Sequence, residues 1–90
     1  MIIEKKIWPK YFDLIRSGKK NVEVRVADFD ISKGDELLLR EYDPEKKEYT
    51  GRKIKKKAGN INLIKGDEAI KMFLPEKIKE NGFYIIELKD

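Results

Sequence analysis

Ninety residues, 21 of them lysine or arginine and 17 aspartate or glutamate, give a net charge of +4 in a chain with no cysteine and no histidine. A chain of this length has room for one hydrophobic core, so a single domain over residues 1–90 is expected. Without cysteine and histidine, disulfides, thiolate nucleophiles, Ser-His-Asp and Cys-His constellations and histidine-ligated zinc are all excluded.

Any chemistry therefore falls to Lys, Arg, Asp, Glu, Tyr, Ser or Thr. Charged residues make up 42% of the chain, against roughly 25% in ordinary globular proteins. With 40% hydrophobic residues beside them, the composition is that of a folded, ion-rich protein, and lysine and glutamate enrichment of this kind points to thermostability. No run of about 18 apolar residues is present, and Met1-Ile2-Ile3-Glu4-Lys5-Lys6 lacks the apolar stretch of a signal peptide. A cytoplasmic monomer without a membrane segment is the expectation. The basic surplus favours an acidic partner such as nucleic acid without requiring one.

Ile2 to Ile7 reads as a strand that ends at Trp8-Pro9, where proline suits the first position of a helix. Trp8, Tyr11, Phe12 and Ile15 fall on one helical face and Ser17-Gly18 supplies a left-handed stop, which predicts a helix over Pro9 to Ser17. From Asn21 the period changes to two. Val22, Val24 and Val26 are expected to face the core, with Asn21, Glu23 and Arg25 on the opposite face. Ser32-Lys33-Gly34-Asp35 is a turn, and Glu36 to Tyr42, with three consecutive leucines, reads as a strand covered on both sides.

Asp43-Pro44-Glu45 breaks that strand, and an extended reading resumes at Tyr49-Thr50-Gly51-Arg52. Arg52 to Lys57 then reads as an edge strand blunted by lysines, with Ile61 and Leu63 in a further short strand. Asp67 caps a predicted second helix carrying Ala69, Ile70, Phe73 and Leu74. Pro75 ends it, a helical turn follows over Glu76 to Asn81, and Phe83 to Leu88 is the last strand. Five to six short strands with two or three short helices predict a small α+β fold, a mainly antiparallel β-barrel. A ferredoxin-like sandwich is the competing architecture, disfavoured by the shortness of the helices.

Glu23 and Arg25 lie on one face of a strand, two residues apart, where they form either a rim ion pair or a joint ligand contact. Arg52-Lys53-Ile54-Lys55-Lys56-Lys57 holds five cations in six residues. It reads either as a solvated edge or as a track for a phosphate backbone. Tyr42 and Tyr49 either stack a base or pack across a hairpin, and Trp8 divides in the same way between packing and stacking. Asp28, Asp30, Asp35 and Asp43 have no calcium-loop spacing and read as turn and capping residues, so no metal site is expected.

Gly18, Lys20, Glu23 and Arg25 match a Gly-x-Lys-x-x-Glu-x-Arg signature. With Trp8-Pro9, Tyr11-Phe12, Gly34-Asp35, Arg40-Glu41-Tyr42-Asp43-Pro44 and Tyr49-Thr50-Gly51-Arg52, the chain resembles a compact subfamily of ASCH domains, a branch of the PUA-like superfamily. The resemblance implies a PUA-like barrel with a basic cleft beside the first helix that binds RNA or a modified nucleotide, without an organic cofactor. Arg25 would offer a planar fork to a phosphate or base edge, Lys20 a mobile cation and Glu23 an acceptor for an exocyclic amino group. Arg52, Lys53, Lys55 and Tyr42 are the further candidates for nucleic-acid contact. The alternative is an enzyme in the same cleft with Lys20 and Glu23 as catalytic candidates. It would be either a nucleoside amidohydrolase, in which a threonine would stand where this chain has Glu23, or a metal-assisted ribonuclease.

Overall fold

A computed structural model describes residues 1–65 and 81–90. The helix expected from Asp67 to Leu74, and most of the helical turn after Pro75, lie outside the described residues. The elements are β1 (Ile2–Ile7), α1 (Pro9–Arg16), β2 (Val22–Val26), β3 (Glu36–Asp43), β4 (Glu48–Ile64) and β5 (Phe83–Lys89). They form one five-stranded mixed sheet in the order β1-β3-β4-β5-β2. The β1–β3 pair is parallel and the other three pairs are antiparallel, in keeping with the α+β, mainly antiparallel expectation.

Helix α1 begins at Pro9 and ends with Ser17 as its C-cap. It buries Phe12 and Ile15 but leaves Trp8 and Tyr11 exposed, so only half of the predicted stripe is core. Phe12 and Ile15 join Ile7, Leu37, Leu39, Ala58, Ile86 and Leu88 in one hydrophobic cluster. On β3 the buried positions alternate as Leu37, Leu39 and Glu41, while Leu38 is half-buried on the other face. That strand therefore has one fully covered face instead of two.

The predicted orientation of β2 is reversed. Glu23 pairs with Ile86 and Arg25 with Tyr84, so both charged side chains share the inward face of β5. Val22 and Val24 turn outward and are 43% and 55% exposed. A period of two fixes alternation but not which face goes inside, and here the inward carboxylate is neutralised by two cations.

The two strands expected between Tyr49 and Leu63 are one continuous strand. Its first half pairs with β3 up to Lys57, and its second half pairs with β5 from Lys57 onward. The lysine-rich half thus lies inside the sheet order, yet among the described residues it is paired on one side only. The exchange of partners coincides with a register shift between Ala58 and Ile61. Gly59 sits in it, where an added Cβ would come within 2.2 Å of Glu87 Oε1, and such close approaches are where glycine is used in strands.

β1 and β2 are the two ends of the sheet, but they lie near each other in space. Arg25 Nη2 on β2 donates to the Lys6 carbonyl on β1 at 2.6 Å. A single side chain spans the gap, so the sheet is curled into a half-barrel with an open seam between its terminal strands.

Candidate functional site

The seam holds a cleft of about 440 Å³ lined by Lys6, Ile7, Trp8, Tyr11, Lys20, Glu23, Val24 and Arg25. That is within the ~300–1,000 Å³ usual for small-molecule sites. At its floor, Glu23 is 5% exposed. Its Oε1 accepts from Lys20 Nζ at 2.9 Å and its Oε2 from Arg25 Nε at 2.7 Å. A carboxylate taken out of water in this way is tolerated only when it is paired and hydrogen-bonded. Lys20 Nζ also donates to the Val22 carbonyl.

Lys20 is brought there by the end of α1. Gly18 has φ +80 and its N–H donates to Ile15 O, while the Lys20 N–H donates to Leu14 O at 3.0 Å. The left-handed residue wraps the chain back on the last helical turn and sets the Lys20 side chain over Glu23. Two cations against one carboxylate leave the site with one net positive charge. Arg25 has five N–H donors; Glu23 and Lys6 occupy two, and among the described residues the rest have no partner.

A second buried carboxylate went unremarked in the sequence. Glu41 is 3% exposed. It accepts from Thr50 Oγ1 at 2.6 Å and, through both oxygens, from Arg52 Nε at 2.9 Å and Nη2 at 2.6 Å. Arg52 Nη2 also reaches Asp13 at 3.1 Å, and its guanidinium lies 4.6 Å from the Phe12 ring centroid. The Arg52 hydrogen bonds, outweighing burial and helped by Thr50, hold the Glu41 carboxyl below its ordinary value of 4.5. The same bonds raise Arg52 above the usual arginine range. The available signal was parity: Glu41 continues the buried series Leu37, Leu39 on β3.

The remaining sequence candidates divide by strand parity. Arg52 faces inward and is committed to Glu41 and Asp13. Lys53 and Lys55 face outward, Lys53 exposed and Lys55 paired with Glu36 at 3.3 Å. Tyr42 packs edge-to-face on Tyr49 with ring centroids 5.2 Å apart, and Lys6 Nζ lies 4.3 Å from the Tyr42 centroid. The cleft therefore gathers Lys20, Glu23 and Arg25 and none of these other four. Trp8 and Tyr11, on its rim, are the aromatic residues that it exposes. Asp35 serves the turn, accepting from Ser32 N, and Asp43 likewise accepts from Glu45 N. Among the described residues no group of three or more carboxylates is placed to hold a metal ion. Nor is any helix among them long and apolar enough to cross a membrane.

Residues 2–70 match the family described as "Domain of unknown function (DUF3850)", and the chain belongs to that family. Over 60 residues it is 38% identical to an uncharacterized 12.9 kDa protein in the GpA 3′ region of Escherichia phage P2, a match that covers 67% of this chain and 53% of the phage protein. The chain thus spans about half the length of that curated relative. Its fold is similar to the crystal structure of hypothetical protein PH0355, with a TM-score of 0.70, 22% identity and coverage of 99% of this chain and 98% of the other. It is also similar to the solution NMR structure of protein PF0455 from Pyrococcus furiosus, with a TM-score of 0.59, 21% identity and coverage of 99% and 96%.

Proposed function

We propose that the protein is an ASCH-type, PUA-like domain that binds RNA or a modified nucleotide in the cleft between β1, α1 and β2. The observation that carries this reading is the arrangement around Glu23. Lys20 and Arg25 are both bonded to one buried carboxylate, keep a net positive charge, and share the cleft with the exposed side chains of Trp8 and Tyr11. Phosphate or a base edge would meet the remaining Arg25 donors, and a base would stack on the rim. The Gly18, Lys20, Glu23 and Arg25 signature and the curled sheet both agree with the ASCH assignment. The amidohydrolase alternative requires a free amine on Lys20 to act as base or nucleophile. Lys20 Nζ instead donates to Glu23 and to Val22 O, which favours binding over turnover.

The test is titration of labelled nucleotides and short RNAs with the wild type, Arg25→Gln and Arg25→Lys. Loss of a bidentate arginine contact is expected to weaken binding roughly five- to 150-fold. Arg25→Lys is expected not to restore it, because an ammonium lacks the planar fork. Unchanged affinity in both variants overturns the reading. Turnover of acylated nucleosides that Lys20→Ala abolishes would favour the enzyme.

A further inference from the structure

Strand β4 sends alternate cations to opposite faces, and among the described residues the outward set is only partly paired. Inward, Arg52 is bound to Glu41 and Asp13, and Lys56 to Asp90. Outward, Lys53, Lys55 and Lys57 stand at intervals of about 6.7 Å, the two-residue rise of a strand. Register places Lys53 beside Arg40 on β3, and Arg40 beside Lys6 on β1, in one row across the sheet. The carboxylates of this face are Glu4, 4.0 Å from Arg40, and Glu36, 3.3 Å from Lys55. Among the described residues Lys53 and Lys57 have no carboxylate partner. The next row is Tyr42 opposite Tyr49. The Arg40 guanidinium lies 4.0 Å from the Tyr49 ring centroid, and Tyr49 is 41% exposed. Lys6 joins this face to the cleft: its carbonyl holds Arg25, and its ammonium lies over Tyr42.

We propose that the outer face of β1, β3 and β4 is a second contact surface, which carries a single-stranded RNA out of the cleft. The proposal rests on the nucleotide reading of the cleft and adds a polymeric substrate to it. A line of point cations along one strand suits a phosphate backbone, whose displaced counterions make binding salt-dependent. An arginine layered on a tyrosine offers a flat surface for an unpaired base, which a duplex cannot present. The aromatic pair lies at the end of the lysine line, with the Lys6, Arg40 and Lys53 row between, so a strand running along β4 would meet the rings first and the lysines after them. Charge complementarity thus selects a polyanion, and the Arg40–Tyr49 layer selects one with accessible bases.

The experiment compares uridine monophosphate, oligouridine of about 12 nucleotides, an RNA duplex of equal length and inorganic polyphosphate, each against wild type, Lys53→Gln/Lys57→Gln, Tyr49→Ala, Tyr49→Phe and Arg25→Gln. Oligouridine is expected to bind more tightly than the monophosphate, the duplex and polyphosphate. The double lysine variant is expected to flatten its salt dependence by about 0.7 in log–log slope per lysine, leaving the monophosphate unchanged. Tyr49→Ala is expected to weaken oligouridine by roughly five- to 150-fold and Tyr49→Phe to keep it. Equal affinity for polyphosphate or duplex, or outer-face variants that bind oligouridine like the wild type, overturns the proposal. If Arg25→Gln changes nothing while the outer-face variants still weaken oligouridine, the cleft reading fails and the outer surface stands.

Discussion

Glu23 and Glu41 are two buried carboxylates in the same half-barrel, each held by an arginine, and they differ in what else that arginine holds. Around Glu41 the donors close on one another: Thr50 and the Nε–Nη2 edge of Arg52 meet it, and the same Nη2 also reaches Asp13. The result ties α1 to β3 and β4 across 39 residues of sequence. Around Glu23 one oxygen takes Lys20 and the other takes only the Nε of Arg25, so part of the guanidinium faces the cleft. A similar ion pair is thus a lock in one place and an orienting device in the other. What separates them is the second anchor of the arginine, a carboxylate on α1 for Arg52 and a backbone carbonyl at the cleft for Arg25.

The comparison breaks first at Glu41. Glu41→Gln keeps one acceptor for Arg52 but presents an amide N–H to the other and removes the charge, so it is expected to cost about 1–3 kcal/mol, the scale of a hydrogen bond to a charged group. In a chain of this size that lowers Tm by about 4–8 °C per kcal/mol. Nucleotide affinity at the cleft is expected to stay unchanged. A thermal scan and a titration on the same sample check both halves, and a loss of binding without a loss of Tm would reverse the roles assigned to the two clusters.

A second, smaller effect is acid sensitivity. The folded carboxyl of Glu41 is held below the ordinary 4.5, so its contribution is fully present above that value and disappears as pH falls through the depressed folded value. Asp90, lowered through its hydrogen bond to Lys56, adds in the same direction but is exposed and screened. Stability measured from about pH 5 downward is expected to fall in the wild type and to fall less steeply in Glu41→Gln. Parallel curves would remove Glu41 from the account.

The sequence shows why one cluster was legible and the other was not. Pro9, Ser17-Gly18 and the spacing of Lys20, Glu23 and Arg25 are local signals, and the structure assembles those residues within one turn and one strand. Glu41, Thr50 and Arg52 meet through strand pairing, which no local pattern specifies; the parity of Leu37, Leu39 and Glu41 marks the carboxylate as inward only once β3 is known to cover one face. The valines of β2 misled for the opposite reason. Apolar residues were assigned inward by default, yet β2 is a terminal strand of the sheet, where burying a paired glutamate places Val22 and Val24 outside. The continuity of β4 was similarly hidden, since the change of partner strand between Ala58 and Ile61 is set by pairing with β5 and not by any local pattern.

The smallest effect tests how far the cleft depends on its local turn. Gly18 has φ +80, and a Cβ there would meet no atom within 4 Å, so any cost of Gly18→Ala comes from backbone conformation and not from collision. That cost is expected to be about 1 kcal/mol. Gly18→Asn is expected to recover much of it, because asparagine tolerates the left-handed region. The same turn fixes the Lys20 amide on Leu14 O, so Gly18→Ala is expected to weaken nucleotide binding beyond what the loss of stability explains, measured well below the melting point where the variant is fully folded. The Glu41 cluster hangs on strand pairing and no such turn, and its acid response is expected to be identical in Gly18→Ala. If Gly18→Ala loses stability but binds like the wild type, Lys20 is positioned by Glu23 and Val22 O alone, and the helix stop matters to the fold and not to the site.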